Sequence, residues 1–333
     1  VIITLPAPDT LSAREGLRPV NLRTDLAPLA DLIELVFAST MDDSGRAAIQ
    51  EMRTMSRMGS ALGLLGRLND LMLGISLGYV WIADGRLVGN VSIYPANYPP
   101  GAGKAWIIAN VGVHPEYQRR GIAYQLMRAA LHMIAEKGGQ QALLQVDYEN
   151  TPAIELYLRL GFVQERAFTT WARSSGAAPP PQSGDLFLTR RRPAEWQQEY
   201  TLAQHTRPAD QGGVGWLRPL HVSLFHRPLW QRLWDALTLS SMERLVIRSD
   251  DDRQLRAVAW VENTFAASRT RITLLAQPGE ASAAEALLGN ILRRFRGAAF
   301  SLEHPYDDTS ISHLLYRLRF QPERTVWHMR YNF

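Results

Sequence analysis

The chain has 333 residues, which at about 150 residues per domain holds two domains or one large one. Hydrophobic residues make up 46% and charged residues 20%, a globular composition that excludes a disordered, collagenous or coiled-coil chain, and the net charge of +4 is diffuse. Cysteine is absent, which removes disulfide scaffolds, thiolate nucleophiles and cysteine-ligated metal together and suits a reducing cytosol.

In chain order, Val1 to Thr10 lacks a basic region followed by an apolar core, so no secretory signal is expected and the chain reads as cytoplasmic. Leu17 to Asn21 predicts a first strand. Leu26 to Phe37 predicts a helix, with Leu29, Leu32, Ile33 and Val36 near helical spacing. A second helical zone covers Arg46 to Leu73, where Met52, Met55 and Met58 read as packing filler ahead of pocket lining. The uncharged run Leu71 to Ala83 falls well short of the roughly 20 residues that span a bilayer. Gly74 to Gly78 fits the Gly-x-Ser-x-Gly hydrolase pattern, but Tyr79 onward reads as strand where that chemistry needs a helix.

Tyr79 to Ile82 and Leu87 to Tyr94 are strands joined at Asp84 and Gly85, both tolerant of positive φ, hence a tight hairpin. Trp106 to Val113 is a further strand. The next helix carries Ile122, Leu126, Ala130, Met133 and Ile134 and ends at Gly138 and Gly139. After a strand at Ala142 to Val146, Thr151 as cap and Pro152 as first helical residue open a helix with Ile154, Tyr157 and Leu158 on one face.

Ser174 to Gly184 has three successive prolines and no apolar periodicity, which reads as an interdomain linker. Arg190 to Arg192 is too short for a nucleic-acid stripe and reads as a solvated segment. The second half repeats the same grammar: Leu245 to Ile247, an acidic turn at Asp250 to Asp252, Leu255 to Val261, Arg271 to Ala276, a helix from Ala283 to Phe295, a strand near Ala298 to Leu302 and a short helix through Tyr316. One α/β unit is used twice.

The chemistry sits in Val111 to Ala123, where a strand runs into an Arg-flanked turn that opens a helix. A helix N-terminus presents unsatisfied N–H groups and the positive end of its dipole, and Gly121 and Ala123 let an anion approach the backbone closely. His114, followed by Pro115, reads as a turn residue. Gln118, Gly121 and Ala123 fit an acyl-CoA signature, and Val146, Asn150, Ala153, Tyr157, Gly161 and Phe162 fit a second motif at the expected spacing. On these residues the first half resembles the GCN5-related N-acetyltransferase (GNAT) family.

The resemblance implies an α/β (α+β) fold of two tandem GNAT-like domains, each a mixed, mostly antiparallel sheet flanked by helices with a splayed central strand pair. Residues 1–175 would hold the intact acyl-CoA motif, and residues 176–333 the linker and a second, degenerate domain. The amides of Gln118, Arg119, Arg120, Gly121, Ile122 and Ala123 would bind the pyrophosphate of acetyl-CoA, main-chain groups near Val111 and Val113 would align its pantetheine, and Asn150 would contact that arm. Tyr157 would be the general acid, with Tyr124 and Tyr148 as substitutes. Asp147 and Glu149 lie near the splay, Asn110 stands where some relatives place a carboxylate, and the base stays open between a side chain and a water relay. The expected activity is acetyl transfer to a primary amine of a small molecule or protein; the alternative is a catalytically silent acyl-CoA-binding sensor or interaction module. No metal, nucleic acid or membrane partner is expected. In the second half, Gln277 to Ala284 lacks the arginines and glycine turn, while Tyr316 echoes the Tyr157 helix. The tandem layout is partly similar to the mycothiol synthase family, whose better-preserved site lies in the second half and not the first.

Overall fold

The computed structural model describes residues 15–38, 41, 43–57, 77–99, 101–181, 188–226, 240–249, 251, 254–264 and 267–333. The first repeat runs β1 (Gly16–Pro19), α1 (Leu26–Phe37), α2 (Asp43–Arg57), β2 (Leu77–Ala83), β3 (Arg86–Pro95), β4 (Ala105–Val113), α3 (Ile122–Glu136), β5 (Gln141–Asp147), α4 (Thr151–Arg159) and β6 (Val163–Arg173). The second runs β7 (Thr189–Arg190), α5 (Trp196–Thr206), β8 (Ser240–Arg248), β9 (Leu255–Thr264), β10 (Thr270–Ala276), α6 (Ala281–Arg294), β11 (Phe300–Pro305), α7 (Thr309–Arg317) and β12 (Gln321–Asn332).

All twelve strands share one sheet in the order β1-β2-β3-β4-β5-β12-β6-β11-β10-β9-β8-β7. The repeats therefore exchange their last strands: β12 pairs antiparallel with β5 of the first repeat, and β6 with β11 of the second. In the middle β6 and β12 pair with each other. On one face of the first repeat α3 and α4 pack over an apolar core that includes Val91, Leu126, Val146 and Phe162. On the other face α1 and α2 close over Leu29, Ile33 and Ile49. In the second repeat α6 and α7 bury Leu287, Leu302 and Leu314, and α5 covers Val258, Trp260 and Leu275 from the opposite side.

The expected hairpin is present, with Asp84 at φ +51° and Gly85 at φ +68°, the mirror-image turn geometry that matches strand twist. The helix after Ala142 to Val146 is capped one residue earlier than expected: Asn150 Oδ1 accepts the Ala153 N–H at 3.3 Å, and Thr151 stands inside the first turn. Arg191 is not a solvated side chain either. It is 11% exposed and lies 3.0 Å from the buried Glu199 carboxylate. Residues 174–181 of the expected linker are tied down, because Arg173 donates to the Ala178 carbonyl at 2.7 Å and Arg293 to the Pro181 carbonyl at 2.7 Å. Part of the expected Met-bearing helix, including Met58, lies outside the described residues, as do Val1 to Thr10 and Gly74 to Ser76. Met52 packs beside the α1–α2 core, as filler does.

The feature that positions the site is a pair of strands that separate. Strands β4 and β5 pair in parallel only from Ala105–Gln141 to Ile107–Leu143, and β10 and β11 only from Thr270–Phe300 to Ile272–Leu302. Beyond those points each pair diverges and leaves a gap. The β3–β4 register steps from Ser92–Ala109 to Asn90–Gly112, so β4 carries an extra residue there, and Asn110 within it has φ +52°.

Candidate active site

The anion loop is built by its own side chains. His114 Nδ1 accepts the Glu116 N–H at 3.3 Å, which fits its reading as a turn residue, and the Tyr117 hydroxyl donates to Asp84 at 2.6 Å. Gln118 Nε2 donates to the Val113 carbonyl at 3.2 Å, while Arg120 donates to the Glu116 carbonyl at 2.9 Å and lies over the Tyr117 ring. With these groups engaged, the main chain turns through Arg119 at φ +60° and Gly121 at φ +77° into α3. No side chain caps α3, and its first internal bond runs from the Gln125 N–H to the Gly121 carbonyl at 3.1 Å. Of the amides before it, that of Gln118, expected to join the anion site, already donates to the Pro115 carbonyl at 3.3 Å, and those from Arg119 onward are left for an external acceptor. A Cβ at Gly121 would meet nothing within 4 Å, so the space over the turn is open.

Val111 and Val113 stand on β4 beyond its last pair with β5 and belong to the same apolar cluster as Tyr157 on α4. Tyr157 is 6% exposed and packs on Phe162, with ring centroids 5.9 Å apart. Its hydroxyl makes no hydrogen bond among the described residues, and burial pushes the phenol far above its ordinary range. The substitutes are engaged elsewhere: Tyr148 stacks on Trp327 at 5.5 Å, and Tyr124 lies beside the Arg128 guanidinium. Asp147 accepts from Arg324 at 2.6 Å, and Glu149 is exposed. Asn110 donates to the Ser92 hydroxyl at 3.3 Å, and its main-chain carbonyl accepts from Asn90 at 2.9 Å, so the buried Asn90 and Ser92 hold the bulge.

The second repeat has the same frame with different contents. The α4 and α7 turns superpose in their bonds: Ala153 N–H on Asn150 becomes Ile311 N–H on Asp308, and Phe162 N–H on the Tyr157 carbonyl becomes Phe320 N–H on the Leu315 carbonyl. The counterpart of Tyr157 is thus the buried Leu315, and Tyr316, expected from sequence as the echo, is one position off and 51% exposed. The β9–β10 register runs without a bulge. At the start of α6 stands Glu280, an anion paired with Arg256 at 2.5 Å, where the first repeat has Gly121. The gap itself is filled. Arg207, fully buried at the end of α5, donates to the Leu274 carbonyl of β10 at 3.2 Å and to His304 Nδ1 of β11 at 3.0 Å. Burial lowers the His304 imidazole to about 4, which keeps it the neutral acceptor that this contact requires, while its Nε2 donates to Asp308 at 2.9 Å.

Among the described residues no group of three or more His, Asp or Glu is placed to hold a metal ion, and no helix is long and apolar enough to cross a membrane. Residues 64–162 match the family model described as Acetyltransferase (GNAT) family. That match falls within the first repeat, from ahead of β2 to just past the end of α4. Curated relatives include the mycothiol acetyltransferases of Corynebacterium aurimucosum, 35% identical over 75 residues (22% of this chain, 24% of the relative), and of an Arthrobacter species, 35% identical over 104 residues (30% and 31%). The match thus spans about a quarter to a third of those relatives. Among solved structures, a GCN5-related N-acetyltransferase from Sphaerobacter thermophilus has a TM-score of 0.55 at 16% identity, with 95% of both chains covered, which shows a shared fold over nearly the whole length.

Sequence reading missed β6, β12 and α5 with the groups they carry, notably Glu165, Arg207 and His328. Strand β12 has Arg324, His328 and Arg330 interleaved with its apolar positions, which hides the alternation that marks a half-buried strand. The one visible signal was the glycine cluster Gly212, Gly213 and Gly215 ahead of Trp216, all three at positive φ.

Proposed function

We propose that the chain transfers an acetyl group from acetyl-CoA to a primary amine. The observation that carries this reading is an uncapped, glycine-opened helix N-terminus just after a strand that separates from its parallel partner, with a buried tyrosine in the same core. The amides of residues 119–123 suit a diphosphate, since they offer preorganised donors at the positive end of the α3 dipole. Main chain released from pairing near Val111 and Val113 suits the amide-bearing pantetheine arm, and an N–H at the β4 bulge suits the thioester carbonyl as its negative charge develops. Asn150, committed to capping α4 through Oδ1, retains its amide N–H groups for that arm.

Tyr157 fits the general acid. The departing sulfur, with a pKa of about 8.5 if it resembles cysteine, takes the proton of a phenol that burial keeps protonated. The acceptor is left at the class of primary amine, because the curated match spans 75 residues, 22% of this chain. The second repeat, with Leu315, Glu280 and Arg207 where the first has Tyr157, Gly121 and an open gap, supports a scaffold that has lost the acyl-CoA site. Thiol release from acetyl-CoA against an amine panel tests the reading. Release above a no-amine control is expected; acetyl-CoA binding with no release for any amine would leave a silent binding module.

A further inference from the structure

Where β5 leaves β4, its next neighbour on the far side is β12, and there the two repeats bring titratable groups together. Gln145 on β5 lies 3.0 Å from His328 Nε2 on β12, and the same nitrogen is 3.2 Å from Glu303 Oε1 on β11. Glu303 is held as an anion, with a pKa of about 2, by His328, Arg271 and the Trp216 N–H at 3.1 Å. An ionised carboxylate at Nε2 fixes the hydrogen on that nitrogen and leaves the Nδ1 lone pair as the basic position. The ring is clamped between Phe168 at 4.5 Å and Trp216 at 5.1 Å.

Nδ1 faces a second carboxylate. A Cβ on Gly212 would come 3.2 Å from Glu165 Oε2 and 3.7 Å from His328 Nδ1, so both atoms approach the same glycine, which stands at φ +84°. Neither atom has a hydrogen-bond partner among the described residues, although the side chains are only 8% and 2% exposed. Glu165 Oε1 is taken by Arg330 at 3.0 Å. Neither atom is among the fully enclosed unpaired ones, so each keeps a trace of solvent access, and two acceptors on one glycine with no donor are open to one from outside. The remaining charged or titratable groups toward this spot are Arg330, Asp210 after α5, and Tyr98 from the β3–β4 connection.

We infer that Glu165 and His328 form the acceptor-amine site, and that His328 Nδ1 takes the proton that makes the amine a nucleophile. The inference rests on the acetyl-transfer reading and adds the base that the sequence leaves open. An alkylammonium donates N–H groups to Glu165 Oε2 and His328 Nδ1 and gives one proton to Nδ1, and the imidazolium is stabilised by Glu303 and Glu165. The amine lone pair forms the N–C bond to the thioester carbonyl carbon. As the C–S bond breaks, its electron pair leaves on sulfur, which takes the Tyr157 proton, and the surplus proton on the new amide nitrogen returns to the phenolate. The imidazolium then loses its proton to water. The acid is on α4 of the first repeat, and the base comes from β12 of the second, one strand beyond β5.

The test uses the full chain with His328→Gln and Glu165→Gln, acetyl-CoA, and glucosamine, spermidine, tyramine and lysine as probes. For the probe that the wild type acetylates best, His328→Gln is expected to lower kcat/KM by ~100-fold or more at pH 7. The deficit should shrink above pH 9, where the amine arrives unprotonated. Glu165→Gln, nearly isosteric, should raise the calorimetric Kd of the same amine at least about tenfold and leave acetyl-CoA affinity unchanged. Turnover in the wild type with both variants unchanged overturns the assignment alone. So does a deficit that is equal at every pH, or an amine Kd indifferent to Glu165→Gln. Silence of the wild type toward every probe overturns the acetyl-transfer reading together with it.

Discussion

Gly121→Glu is expected to abolish acetyl-CoA binding in the full-length chain, with affinity lost by ~100-fold or more, equivalent to about 2.7 kcal/mol. Two effects add. At φ +77° an L side chain is strained by about 1 to 2 kcal/mol, and the new carboxylate would occupy the open space over the turn where the first-turn amides of α3 await an anion. Gly121→Ala separates them, because a methyl at Gly121 would meet nothing within 4 Å and so carries only the backbone strain. A small loss for alanine and a large one for glutamate, read by calorimetry, is the expected pair. Normal affinity in Gly121→Glu would remove the diphosphate from this corner.

Tyr157→Phe should leave acetyl-CoA affinity within about twofold and cut amine-dependent turnover by ~100-fold or more, the scale of one general acid. The ring stays, so the packing against Phe162 is kept and only the proton donor is lost. The pH profile carries a second expectation. A phenol whose pKa burial raises stays protonated past its ordinary range, so the wild-type kcat should show no alkaline fall from Tyr157 below about pH 10. A fall centred at about pH 10 that is absent in Tyr157→Phe would mean that the phenol is exposed to solvent in the working state. Unchanged turnover in Tyr157→Phe across the whole pH range would take the residue out of the mechanism.

The legible part of this fold is the part written in local rules. Asp84 and Gly85 specify a turn whatever surrounds them, and the spacing of Leu29, Leu32 and Ile33 marks a buried helix face. The anion loop was readable for the same reason, since a helix start and a positive-φ glycine are short-range facts. The strand exchange was not, because β6 and β12 are mixed polar strands whose partners lie in the opposite repeat. Residues paired across such distances have no shared periodicity, so Gln145, Glu165, Glu303 and His328 meet only in three dimensions. The Tyr316 expectation failed by one residue for a related reason. Periodicity placed a tyrosine on the helix, but the register set by the Asp308 cap puts Leu315 at the buried position. The degenerate second gap shows the converse: the missing arginines were visible in Gln277 to Ala284, whereas the arginine that fills the gap, Arg207, comes from a helix that sequence periodicity did not mark.

Calorimetric titration of the intact chain with acetyl-CoA bears most directly on all of this. One equivalent should bind per chain, with binding lost in Gly121→Glu and kept in Tyr157→Phe. Absence of any binding, or two equivalents of similar affinity, would contradict an acyl-CoA site confined to the first repeat.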